Sequence, residues 1–238
     1  MARSTELIHT LSEAVAVVQP ATVLLHDRAL MEAGIRTKTK RGRGAADMTA
    51  RDAANLLISV LASPIAGPNV KGSVDRWRQY AELRSDGGWM RTEAGTKELD
   101  SRWHLPGCEI GHLTALPAGH TASEALTAII ASIADGSFHH AIGVEEGDNL
   151  FTWPSALRVQ FRFPVPLIDI TFRTVVAGRP KVIEDHSYYF GGSSDVQGDE
   201  AFRRAESGDM SWSGDLTETR TITLETLRRL GFLIGGKS

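Results

Sequence analysis

Apolar residues in the first part of the chain recur at helical spacing, and past about residue 151 they alternate. Leu7, Ile8 and Leu11 predict a short N-terminal helix, and Ser12 is placed to cap a second one. Gln19 and Pro20 interrupt the pattern. Pro20 suits the first turn of a new helix, along which Val23, Leu24, Leu30 and Met31 form a stripe that ends at Gly34. Thr49 is the expected N-cap of a helix whose core face carries Ala53, Leu56, Leu57, Val60 and Leu61, with Pro64 as its stop. A helix from Ser73 to about Leu83 carries Val74, Trp77, Tyr80 and Ala81 on one side, and Trp77 reads as a core anchor. An irregular stretch, SDGGWMRTEAGTKELDSRWHLPG, follows to Gly107. Thr121 and Glu124 then make a capping box ahead of Leu126, Ile129, Ile130 and Ile133, and Gly136 closes that helix.

The alternating part begins with ALRVQFRF. Leu157, Val159, Phe161 and Phe163 fall on one face, and Arg158, Gln160 and Arg162 on the other, the signature of a half-buried strand. LIDITFRTVV continues as a second strand, and Ala177-Gly178 turns it into a third, RPKVIEDHSYYF. Arg158, Arg162 and Arg173 would give this sheet a nucleic-acid platform, although alternating polar positions on a strand are usually its solvated face. The chain closes with a short strand and an amphipathic helix, TRTITLETLRRLGFLIGG.

These patterns predict an α+β protein in three parts. Residues 1–63 form an N-terminal helical domain, residues 64–136 a helical connecting region, and residues 137–238 a C-terminal domain built on an antiparallel sheet. Composition is that of a soluble globular chain, 42% hydrophobic and 23% charged in 238 residues. The N-terminus lacks the apolar run of a signal peptide, and no apolar stretch reaches the ~20 residues of a membrane helix. One cysteine excludes an internal disulfide and fits a reducing compartment, so a cytoplasmic location is expected.

Net charge changes the picture only when it is read locally. The chain carries a formal charge of -3, yet residues 1–50 hold seven Lys and Arg against five Asp and Glu. Five of the cations lie within eight positions, RTKTKRGR at 36–43, where there is no acid. A patch of that kind binds a polyanion even when the rest of the surface repels it.

Helix, helix, turn, third helix, basic Gly-containing loop and a further helix, in that order, resemble the winged helix-turn-helix domain of prokaryotic transcriptional regulators. Residues 12–34 correspond to the helix-turn-helix and 35–48 to the wing. The resemblance implies that the second helix of the motif enters the major groove of double-stranded DNA, presenting Ala21, Thr22, Leu25, His26 and Arg28, with Thr22, His26 and Arg28 reading base edges. It also implies that Arg36, Lys38, Lys40, Arg41 and Arg43 reach phosphates or a minor groove. A sequence-specific transcriptional regulator follows as the expected function. A homodimer is expected through the C-terminal region, which also has room for an unknown ligand or protein partner. A DNA-binding assembly or packaging factor that oligomerises through its C-terminal half is the alternative.

Other chemistry is thinly represented. His104, Cys108, His112 and His120 have donor types suited to zinc, but there is no CxxC pair, and Pro106 and Gly107 break the helical spacing they would need. The polar, glycine-rich segment 191–215 contains neither GK[ST] nor GxGxxG, and no cofactor is expected. The acids of the polar segment 191–215 read as solvating charges. No catalytic constellation is recognisable, and an enzyme with a site at the C-terminal sheet is the least favoured reading.

Overall fold

The computed structural model describes residues 2–38, 47–63, 72–92, 94–105, 110–138, 157–176, 179–189 and 218–236. Helices α1 (Ser4–Val15), α2 (Pro20–Glu32), α3 (Ala50–Leu61) and α4 (Ser73–Ala81) come first. The hairpin β1 (Arg84–Thr92) and β2 (Gly95–Leu99) follows, then α5 (Gly111–Thr114) and α6 (Ala122–Asp135). Strands β3 (Leu157–Phe163), β4 (Leu167–Val176), β5 (Arg179–Tyr189) and β6 (Glu218–Thr223) precede the last helix, α7 (Leu224–Gly235). The six strands form one antiparallel sheet in the order β2-β1-β5-β4-β3-β6.

The mixed helical and antiparallel architecture is the one the periodicity implies. The α6 capping box is present, with the Thr121 side chain accepting from Glu124 N–H and Gly136 ending the helix at φ 89°. On β3, Leu157, Val159 and Phe161 are fully buried, and the intervening residues lie on the other face. Tyr80 of α4 packs on Phe161 and Phe163, and Trp103 and Phe138 pack on Phe172 of β4, so helices and the 100–105 segment cover the apolar face.

Three features depart from expectation. There is no second short helix at Ser12, because α1 runs unbroken to Val15. The Ser12 hydroxyl donates to the His9 carbonyl at 2.9 Å, a bond back to its own helix that replaces capping. The stretch after Leu83 is a hairpin. Its glycines allow β1 to bulge between Ser85 and Gly88 and to pass close to β5; a Cβ on Gly88 would overlap the Asp185 carbonyl and meet the His186 ring at 3.1 Å. Finally, residues 35–38, 47 and 48 of the expected wing form no strand, and residues 39–46 lie outside the described residues.

One core joins the two ends of the chain. α7 packs against α6 and α1, and α3 packs against α6. Leu7 and Leu11 of α1, Leu56 and Leu57 of α3, Ile129 of α6 and Leu227 and Leu230 of α7 are all fully buried in the same apolar cluster. Gly231 brings α7 close to α6, because any Cβ there would collide with the Ile133 side chain. No described helix is long and apolar enough to cross a membrane.

Candidate nucleic-acid interface

The stripe of α2 that faces the core is Val23, His26, Asp27 and Leu30, spaced i, i+3, i+4, i+7. His26 is therefore not a base-reading residue. It is 3% exposed, its Nδ1 lies 3.0 Å from the Ser59 hydroxyl of α3, and burial together with the nearby Arg76 guanidinium lowers its pKa to about 4. Thr22 is half-buried, while Leu25 and Arg28 are exposed on the opposite side of α2.

Arg36 is also turned inward, against the expectation of a phosphate contact. Its guanidinium pairs with Asp27, donates to Asp27 Oδ2 at 2.9 Å and to the Thr37 carbonyl at 2.9 Å, and contacts the Ser4 hydroxyl. Burial raises the Asp27 carboxyl pKa, Arg36 and Ser4 oppose that rise, and the Asp52 charge adds to it. A buried guanidinium of this kind is held by its partner and is not available to DNA. Lys38 is exposed; Lys40, Arg41 and Arg43 lie outside the described residues.

Thr37, within the basic segment, and Thr49, six residues beyond its end, meet at one carboxylate. Asp52 Oδ2 accepts the Thr49 N–H at 2.9 Å and the Thr49 hydroxyl at 2.8 Å, completing the α3 capping box as the Thr49 hydroxyl receives Asp52 N–H at 3.2 Å. Beyond that, Oδ1 accepts the Thr37 N–H at 2.8 Å, and Oδ2 takes the Thr37 hydroxyl at 3.1 Å. Close by, Met48 N–H donates to the Ala2 carbonyl at 2.9 Å, and Asn55 donates to the Ile35 carbonyl at 3.3 Å. Thr49 announced the helix start in the sequence, but a hydrogen bond from Thr37 to Asp52 leaves no local trace there.

A second polar group lies inside the protein, between β1, β5 and the segment that follows β2. Glu184 accepts the N–H groups of His104 and Leu105 at 2.8 and 2.6 Å, and its Oε1 lies 2.9 Å from His186 Nε2. His186 Nδ1 is 3.3 Å from the Ser85 hydroxyl, and the Trp103 ring lies 3.9 Å from the imidazole, centre to centre. Serine, histidine and carboxylate follow one another in the order that nucleophilic catalysis uses. Glu184 and His186 are fully buried and Ser85 is 3% exposed, so the group acts as an internal brace that ties the 103–105 segment to the sheet.

Next to it, Trp103 Nε1–H is 3.2 Å from both His120 Nε2 and the Tyr188 hydroxyl, and His120 Nε2 lies 2.8 Å from that hydroxyl. Burial lowers the His120 pKa, with the Pro117 carbonyl at Nδ1 pulling the other way, and burial raises that of Tyr188. The residues considered for zinc are not brought together. His104 pairs with Asp100 and His112 with Asp135, His120 belongs to the Trp103 group, and Cys108 lies outside the described residues. Among the described residues, no three His, Cys, Asp or Glu side chains are grouped to hold a metal.

No protein-family model, curated protein or solved structure matches this chain.

Proposed function

We propose that the protein is a DNA-binding regulator of transcription that grips the phosphate backbone with the basic segment following α2. One observation carries the reading. The acid-free run that contains Lys38, Lys40, Arg41 and Arg43 sits between two stems, Thr37 and Thr49, that share the Asp52 carboxylate. Four cations with no acid among them suit a polyanion. Of the α2 residues first considered for base contact, Thr22 and Arg28 remain, and Arg28 is exposed. Two copies would place two such surfaces on successive half-sites.

The test is retention of genomic duplex fragments by the intact protein against excess random duplex. Selective retention, with a light-scattering mass of two copies per retained duplex, is the expected result. Equal retention of all fragments would remove sequence specificity and favour a packaging factor, and no retention at all would remove DNA binding. One copy per duplex would remove only the pairing.

A further inference from the structure

We infer that the polar face of the sheet binds single-stranded RNA, with Trp89 as a stacking platform and Arg91, Arg158 and Arg173 as phosphate contacts. The inference goes beyond the proposed DNA reading and does not rest on it. Strand pairing places these residues side by side. Arg158 of β3, Thr171 of β4, Asp185 of β5, Trp89 of β1 and Glu98 of β2 stand opposite one another in one row across the sheet. The next row along carries Arg173 and Arg91, both paired with Ile183 and so two strands apart, on the order of 10 Å. Opposed residues share a face, and the buried Leu157, Phe172 and Glu184 occupy the alternate positions, so both rows point away from the core.

A polar sheet face is ordinarily only a solvated one, and the other end of this face fits that description. There Asp169 pairs with Arg162 at 2.7 Å and accepts from the Ser187 hydroxyl at 2.7 Å, and Gln160 donates to Thr221 at 3.3 Å. The end that carries Trp89 does not satisfy itself. Among the described residues, Arg91, Arg158 and Arg173 have no ion pair and no side-chain hydrogen bond, and Arg173 Nε is buried without a partner. Trp89 stands 51% exposed beside them, although an indole is normally well covered. Phosphates satisfy lone guanidinium groups, and an unpaired base satisfies an open indole face. Duplex bases, already stacked on one another, offer that face nothing.

Asp185 separates RNA from DNA. It sits beside Trp89 in the same row, half-buried and, among the described residues, with no side-chain partner. Against a deoxy strand its charge only repels phosphate. A ribose 2′-hydroxyl donates to a carboxylate, which turns the same residue into a contact.

The experiment measures binding of a fluorescein-labelled oligouridylate and of its deoxy counterpart across a salt series. Wild type is compared with Trp89→Ala, Trp89→Phe, the Arg158→Ala and Arg173→Ala double variant, Asp185→Ala, and a chain with Lys38, Lys40, Arg41 and Arg43 changed to Ala. Trp89→Ala should bind RNA about tenfold more weakly, and Trp89→Phe, which keeps an aromatic face, nearly as well as wild type. The double variant should show a salt slope shallower by about 0.7 for each phosphate it no longer neutralises. Wild type should prefer RNA by about fivefold, and Asp185→Ala should abolish that preference. The chain without the four N-terminal cations should bind RNA as wild type does.

Should the double variant misfold, Arg91→Ala, at an exposed position, carries the charge arm. RNA bound equally well by Trp89→Ala, or bound only while the four N-terminal cations are present, overturns the inference, the second result by moving the strand to the basic segment. Equal or tighter binding of the deoxy strand overturns the assignment to RNA. Failure to retain duplex, with RNA binding kept, removes the DNA reading and leaves this inference standing.

Discussion

His26 lies between α2 and α3 with a ring nitrogen on Ser59, and burial and Arg76 hold its pKa at about 4. In the unfolded chain the same ring takes a proton near pH 6.5. Between those values the unfolded state binds more protons, so stability is full above about pH 6.5 and falls as the pH drops toward 4. The loss amounts to about 3 kcal/mol. Urea titrations of wild type and His26→Gln at pH 7 and pH 4.5 should show the variant losing less of its stability on acidification; equal losses would mean that the ring is not buried neutral. The α2 stripe already carried this placement in its spacing, since 26 and 27 stand with 23 and 30. Their polar identities concealed it, because a polar residue on a core face is read as exposed until its partner is known. Arg36 had no such signal, as only the tertiary approach of Asp27 marks it as internal.

Among the elements, helix ends were the most legible, because capping is local chemistry. Thr49, Pro20 and the Thr121–Glu124 pair start α3, α2 and α6, and Gly136 stops α6. Alternation gave β3, β4 and β5 for the same reason. The β1–β2 hairpin was illegible because its glycines and charges carry no two-residue alternation; what defines it is close approach to β5, and approach is not local. Gly88→Ala should therefore be destabilising by about 3 kcal/mol, since its Cβ would overlap the Asp185 carbonyl and press on the His186 ring. Gly111→Ala, at a helix start where a Cβ meets nothing within 4 Å, should be neutral or stabilising by up to about 1 kcal/mol. Chemical denaturation of both variants checks the pair; similar costs at the two positions would mean that the β1–β5 approach is looser than described.

For the whole molecule, periodicity revealed the class of fold but not the way the chain's ends meet. An amphipathic helix such as α7 announces an apolar face without naming what covers it, and here α6 and α1 do. The helices of residues 1–63 consequently share a core with the C-terminal helix. Leu227→Ala, within α7, should cost about 2–5 kcal/mol, and the unfolding curve should remain a single transition by far-ultraviolet circular dichroism and tryptophan fluorescence alike. Two separated transitions, with only one moved by the substitution, would show that the ends fold independently. That shared core also encloses α3, the helix that carries Asp52.

The most direct measurement is the salt dependence of duplex binding for wild type beside a variant with Lys38, Lys40, Arg41 and Arg43 all changed to Ala. If these cations neutralise phosphates, the variant binds more weakly, and its slope of log affinity against log salt is shallower by about 0.9 for each phosphate it no longer neutralises. Equal affinities and equal slopes would contradict the proposed function and make RTKTKRGR a solvated loop.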